Sequence, residues 1–160
     1  LRRAEIDIIS AGLDAKPVVC SRRNVLIPDI DITKINADDF DMLILPGGLP
    51  GANNLRDDPR VIALLQQHAS ANKPIAAICA APKVLAEAQL LTNKTITCFP
   101  NALNGLALNQ TSITNKAIEI DGNILTSRGP GTAMDFALYL IEILTDKETA
   151  DRVNHQMVRG

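Results

Sequence analysis

The chain has 160 residues, enough for one domain that buries a core of its own. Its formal charge is −2, so no long-range field steers it toward nucleic acid or an anionic membrane. It has no Trp and one Tyr, which argues against an aromatic platform for stacked bases, and no apolar run nears the roughly 20 residues that span a bilayer.

The opening residues Leu1-Arg2-Arg3-Ala4 read as the last turn of a helix whose beginning is absent. Glu5 to Ser10 carries Ile6, Ile8 and Ile9 and is expected to be a strand, with Gly12 to Pro17 as a turn. Val18–Cys20 and Asn24–Ile27 are strand-like pieces around the polar Ser21-Arg22-Arg23, and Pro28 to Asp39 is expected to be mostly loop. Asp41 to Leu45 reads as a buried strand that stops at the glycine-rich Pro46-Gly47-Gly48-Leu49-Pro50-Gly51. Asp58 caps a helix with Pro59 in its first turn and an apolar stripe of Val61, Ile62, Leu65 and Ala69.

Ile75-Ala76-Ala77-Ile78 suits a parallel strand covered on both faces. Ala80-Ala81-Pro82 then opens a helix expected to run to about Leu91. Thr95 to Cys98 is another strand, and Phe99 to Ser112 is irregular. Ala117–Ile120 and Ile124–Ser127 flank Asp121-Gly122-Asn123 as a hairpin. Thr132 with Asp135, and Thr145 with Glu148, have the spacing of capping boxes for two final helices. The first of these helices is apolar almost all round, which suits burial on more than one side or contact with a partner subunit. Strands alternating with helices predict a three-layer α/β sandwich with a mostly parallel, flavodoxin-like sheet.

The chemistry centres on Cys79, which falls where a buried strand turns into a helix. That is the geometry of a nucleophile elbow, and a helix N-terminus favours thiolate over thiol. A buried cysteine is more often inert packing. Here, however, the Pro46–Gly51 loop also falls at the carboxyl end of a strand, where open α/β sheets bind ligands. The loop lacks the Gly-Lys-Ser/Thr of a phosphate-binding loop, and no Gly-x-Gly-x-x-Gly follows the first strand. Its glycine N–H groups can instead form an oxyanion hole around charge developing near the sulfur, a use that competes with a plain tight connection. Cys20, Cys79 and Cys98 are an odd number without zinc-type spacing, so a reduced, cytoplasmic protein is expected. His68 and His155 lie too far apart in sequence to suggest a metal site.

Leu45-Pro46-Gly47-Gly48, Ala76-Ala77-Ile78-Cys79-Ala80-Ala81-Pro82 and Leu125-Thr126-Ser127-Arg128-Gly129-Pro130-Gly131-Thr132 together resemble the ThiJ/PfpI superfamily. Arg2-Arg3-Ala4 and Cys20-Ser21-Arg22 fit its DJ-one/YajL branch. The resemblance spans essentially all of residues 1–160 as a single domain, lacking the first strand and most of the first helix. It implies a homodimer with an elbow cysteine, Cys79, readily oxidised to sulfinic acid. It places the Gly47, Gly48 and Ala80 N–H groups around the sulfur and lines the pocket with Arg22, Phe99, Ser127, Arg128 and Pro130. Arg3 joins Arg22 as an interface cation, and Cys20 lies near the dimer interface. The activities implied are cofactor-independent glyoxalase and deglycase chemistry on α-oxoaldehydes such as methylglyoxal or their adducts with proteins and nucleotides, within the oxidative and carbonyl stress response. The alternative is a redox-sensing, chaperone-like homodimer without significant turnover.

Three departures qualify the resemblance. The family's glutamate, which hydrogen-bonds the elbow cysteine, belongs to a segment that would precede Leu1, and Glu5 stands too late to replace it. We expect that segment as a separate or unrecorded piece. Phe99 stands where some deglycase-type members have histidine before proline. Ala80 stands where the PfpI-type proteases carry histidine, which argues against protease and amidotransferase activity.

Overall fold

The structure is a computed structural model and describes residues 1–158. Arg2–Ala4 form a single 3-10 turn closed by Glu5 at φ 59°, in keeping with a helix end at this point. Glu5 to Ser10 is not a strand. Its alternation of apolar residues is strand-like, but a ladder needs a second backbone to take its N–H and C=O groups. Here only Ser10 is so engaged: its carbonyl accepts from Asp29 and Ile30. The first strand is β1 (Ala11–Gly12), followed by an antiparallel hairpin of β2 (Val18–Val19) and β3 (Val25–Leu26). β4 (Ile30–Asp31) lies in the stretch expected to be loop and pairs with β1 in parallel. Short 3-10 turns at Ile32–Lys34 and Ala37–Asp39 are opened by the Asp31 and Asn36 side chains.

β5 (Leu43–Leu45) leads through the glycine loop into α1 (Gly51–Asp57), a helix the sequence reading passes over, and then α2 (Pro59–Ser70). Asp58 caps α2 by accepting the Arg60 N–H at 2.9 Å. β6 (Ile75–Ile78) is central, and α3 (Pro82–Glu87) follows it. That helix ends short of Leu91, because Gln89 turns left-handed at φ 61° and the Leu90 N–H reaches back to the Leu85 carbonyl at 3.0 Å. The turn lets Leu91 fill the core without being helical. β7 (Thr95–Thr97) pairs in parallel with β8 (Ser112–Thr114), a strand not expected at this position. β9 (Ile118–Asp121) and β10 (Ile124–Ser127) form the expected hairpin around Gly122-Asn123.

Neither capping box forms at the last two helices, α4 (Ala133–Leu144) and α5 (Lys147–Gln156). The Thr132 hydroxyl is drawn instead toward Ser127 and Gly129. Asp146, not Thr145, caps α5 by accepting from Thr149. The Thr145 hydroxyl donates back to the Ile141 carbonyl at 2.8 Å.

The main sheet runs β5-β6-β10-β9, parallel except for β9. Side chains alternate across it and split the core in two. Ile75 and Ala77 pack with Val61, Leu65, Val84 and Leu85 under α2 and α3. Ala76 and Leu125 pack with Phe136 and Leu140 of α4 on the other face. The result is the helix–sheet–helix sandwich expected. α4 is buried through Phe136, Leu140 and Ile141, while Met134 and Ile143 remain exposed. β5 differs from expectation in being only partly buried: it is an edge strand, with Leu45 in the core and Ile44 exposed.

His68 is the least expected core residue. It lies fully buried on α2, its Nδ1 at 3.2 Å from the Ala37 carbonyl and its Nε2 without a partner among the described residues. Burial holds its pKa below the ordinary histidine value, partly offset by the Ala37 carbonyl. The native state therefore binds fewer protons than the unfolded chain near that value. Its contribution to stability is complete above an unfolded pKa of about 6.5 and is lost as pH falls through the lower native pKa. Urea unfolding followed between pH 7.5 and 5.5 should show a falling midpoint. In His68→Leu that slope should flatten, whatever the variant's absolute stability.

Candidate active site

Cys79 sits one residue past β6, with φ 66°. A non-glycine residue in this left-handed region costs about 1–2 kcal/mol. The conformation is held from both sides. The Cys79 N–H donates to the Ser127 carbonyl at 2.9 Å, extending the β6–β10 ladder by one bond. The Cys79 carbonyl accepts the Phe99 N–H, also at 2.9 Å. α3 begins three residues later with Pro82 in its first turn, so strand, strained cysteine and helix follow in the order of an elbow. The thiol-bearing residue is half-buried and therefore reachable.

The glycine loop closes over this turn. A Cβ placed on Gly47 would stand 2.7 Å from the Cys79 Cβ and 2.7 Å from the Ile78 carbonyl, so no side chain fits there. Gly48 has φ 91°, and a Cβ on it would come within 3.4 Å of the Ser21 hydroxyl. The N–H groups of Gly48 and Ala80 have no acceptor among the described residues, although Ala80 is buried. The Ala80 donor follows Cys79 directly in the chain, while Gly48 lies nearest Ser21.

The remaining predicted residues divide. Phe99 is joined to Cys79 by the backbone bond, and its half-exposed ring lies against Gly129, where an added Cβ would be 3.4 Å away. Ser127 touches the site through its carbonyl. Its hydroxyl is fully buried, 2.7 Å from that of Thr132 and donating to the Ala117 carbonyl at 3.2 Å, so it braces the loop rather than opening onto the pocket. Arg128 is held by its N–H on Ala117 and its guanidinium on Asn115 at 2.8 Å. Pro130 is exposed and starts the turn Pro130–Thr132. Arg22 is exposed at the tip of the β2–β3 hairpin, while Arg3 is on the N-terminal turn that packs against α5. The two arginines thus belong to different elements.

Ser21, Gly129, Thr132 and Asn115 escape the sequence reading as supports of the site. Ser21, Gly129 and Asn115 lie against residues distant in sequence (Gly48, Phe99 and Arg128), and Thr132 braces Ser127 and Gly129 within its own loop, placements that no local periodicity announces. Cys98 is buried, and burial pushes its thiol pKa up. The Arg128 charge offsets this in part, while neighbouring Cys79 adds to it. Cys98 therefore stays a protonated packing group. No cluster of three or more His, Cys, Asp or Glu among the described residues could hold a metal.

The profile of the DJ-1/PfpI family matches residues 1–143. The chain belongs to the DJ-1/PfpI family. It is 42% identical to the Drosophila melanogaster protein dj-1beta over 154 residues, which are 96% of this chain and 82% of that one. The crystal structure of Drosophila melanogaster DJ-1beta superimposes with a TM-score of 0.93 at 39% identity, covering 99% of this chain and 86% of that one. A Caenorhabditis elegans relative named glutathione-independent glyoxalase DJR-1.2 is 30% identical over 148 residues, 92% of this chain and 78% of its own length. The fold of this DJ-1/PfpI chain is accordingly the flavodoxin-like sandwich expected from its sequence.

If the elbow stores backbone strain, glycine at position 79 should relieve it. Cys79→Gly should be about 0.5–1 kcal/mol more stable than Cys79→Ala in urea unfolding, after allowing for glycine's greater unfolded-state entropy. Equal stability, or a more stable alanine variant, would show an unstrained turn.

Proposed function

We propose that this DJ-1/PfpI chain is a cofactor-independent, cysteine-dependent glyoxalase and deglycase acting on methylglyoxal or its adducts with proteins and nucleotides. The observation that carries the reading is the half-buried, left-handed Cys79 with the unpaired Ala80 N–H next to it in the chain and the glycine loop packed against its Cβ. The relative named as a glutathione-independent glyoxalase supports it. In this reading the Cys79 sulfur adds to the aldehyde carbon, forming a C–S bond and an alkoxide that the N–H groups stabilise before it takes a proton. The hydrogen on that carbon leaves as a proton, its electron pair forms a C=C bond, and the ketone oxygen takes a proton to give an enediol; a proton then adds to the former ketone carbon as the hydroxyl beside the sulfur loses its own and becomes the thioester carbonyl. The product is a thioester of lactate, and water releases lactate and the thiol. Oxidation of one carbon is balanced by reduction of the next, so no outside oxidant or reductant enters. The proton carrier implied by the family resemblance is a glutamate on a segment without counterpart in this sequence.

The same donors favour a second reading. A sulfinate on Cys79 would be an anion held by the Gly48 and Ala80 N–H groups, and a partner could sense it in a chaperone-like role. The three free cysteines support placement in the reducing cytoplasm, and no described helix is long and apolar enough to cross a membrane. A homodimer is supported by the exposed apolar hairpin: Val19, Val25, Leu26 and Ile27 are each more than half exposed.

Turnover of methylglyoxal to lactate tests the enzyme reading. Cys79→Ser should lower the rate by more than about 100-fold, while Cys98→Ser leaves it within a few-fold. Equal rates in Cys79→Ser and the parent chain would remove the reading.

A further inference from the structure

The irregular segment after Phe99 carries the one Asn-Gly pair of the sequence, Asn104-Gly105. An asparagine before glycine is open to attack on its own side chain, because no Cβ shields the glycine nitrogen. The fold leaves that route clear. Both residues are exposed and belong to no helix or strand. Gly105 has φ 80°, and a Cβ on it would meet nothing within 4 Å. The N–H groups on either side are taken, that of Asn104 by the Asn101 carbonyl and that of Leu106 by the Leu103 carbonyl, both at 3.2 Å. The Gly105 N–H has no acceptor among the described residues. The Asn104 amide is held only by a long bond, 3.3 Å from its Nδ2 to Oδ1 of the exposed Asn101. Asp121-Gly122, in the β9–β10 turn, is the chain's own contrast. There Oδ2 accepts the Thr95 N–H at 2.8 Å and Oδ1 accepts from Lys94 Nζ at 3.2 Å. The Thr95 N–H first, and Lys94 next, hold that carboxyl below its ordinary pKa, and an ionised carboxylate resists a nucleophile. A Cβ on Gly122 would also stand 3.1 Å from Lys94 Nζ. One pair is locked and the other is open.

We propose that Asn104 is a modification site, where the folded chain deamidates spontaneously and forms isoaspartate. The Gly105 nitrogen gives up its proton to solvent and attacks Asn104 Cγ. A new C–N bond closes a five-membered imide, the bond from Cγ to Nδ2 breaks, and that nitrogen takes a proton from water and leaves as ammonia. Water then opens the imide. Opening at the side-chain carbonyl gives aspartate, and opening at the main-chain carbonyl gives isoaspartate. Water is the only co-reactant, and nothing is oxidised or reduced. Either product adds a negative charge. Isoaspartate also puts one more carbon into the backbone between Leu103, buried in the core, and Leu106, packed against it. The change falls in the segment whose first residue, Phe99, donates to the Cys79 carbonyl. The inference stands whether Cys79 turns over substrate or senses oxidation.

The test incubates the folded 160-residue chain near neutral pH and follows each asparagine by mass spectrometry of peptides. Isoaspartate is counted by labelling with an isoaspartyl carboxyl methyltransferase. Asn104 should convert faster than every other asparagine and should yield isoaspartate as well as aspartate. Raising the pH by one unit should speed it about tenfold, because the attacking nitrogen must first lose its proton. The folded chain should convert Asn104 within about fivefold of the rate in a free peptide of residues 101–108, whereas folding should slow isomerisation of Asp121 more than about fivefold against a peptide of residues 118–125. Gly105→Ala should slow the reaction at Asn104. Where that variant does not fold, the comparison of parent chain with peptide decides. The proposal is overturned by any of four results: another asparagine converting as fast, an Asn104 rate more than about fivefold below that of its peptide, aspartate without isoaspartate, or an unchanged rate in folded Gly105→Ala. Equal slowing of the two pairs by folding would overturn the contrast on which it rests.

Discussion

The carboxyl edge of the sheet depends on holding Cys79 in a backbone conformation that L residues avoid. Two backbone bonds impose it, one to the Ser127 carbonyl and one from the Phe99 N–H. They come from segments far apart in sequence, so the elbow is a tertiary product rather than a local turn. Once it is set, a chain of consequences follows. Gly47 must lack a side chain, because the Cys79 Cβ occupies that space. Just before α3 the Ala80 N–H has no acceptor among the described residues, and the glycine loop packs against the Cys79 Cβ. Strain in such a place persists only where the surroundings over-determine it. Ser127 shows how: its hydroxyl is tied to Thr132 and Ala117, which fixes the carbonyl that fixes Cys79.

The two core layers and the strand order explain why the elbow is paired on both sides and the edge beyond β5 is not. Around β6 every neighbour is paired: β5 on one side, β10 on the other, helices above and below. Moving outward from β5 the pairing stops, and Ile6 to Ser10 belongs to no strand. The same polypeptide thus presents a finished nucleophile elbow and an unfinished sheet edge a few residues apart, joined by Leu45, Pro46 and Gly47.

Much of this was legible in the residues. The buried strand into Cys79, the Asp58 and Pro59 helix start, the Gly122-Asn123 hairpin and the glycine loop all have short-range signals, and all appear where expected. The misreadings share a cause. Glu5 to Ser10 has strand character, but a strand is made by its neighbour. Thr132 and Thr145 have capping spacing, but their hydroxyls found Ser127 and the Ile141 carbonyl, contacts set by the tertiary fold. α3 stops early because Gln89 turns left-handed and Leu91 passes into the core. At the site, the fold brings Cys79, Gly47 and Phe99 together. Ser127 proves a brace, and Arg22 lies exposed on a hairpin whose position no periodicity specifies.

The central claim is that the fold makes one of three cysteines reactive and leaves the others inert. Mild peroxide followed by mass spectrometry of peptides tests it most directly. The account predicts that Cys79 gains two oxygen atoms while the buried Cys98 and the half-buried Cys20, which lies outside the elbow, keep their thiols, and that unfolding in urea abolishes the selectivity. Oxidation shared equally among the three in the folded chain, or falling first on Cys98, would contradict it.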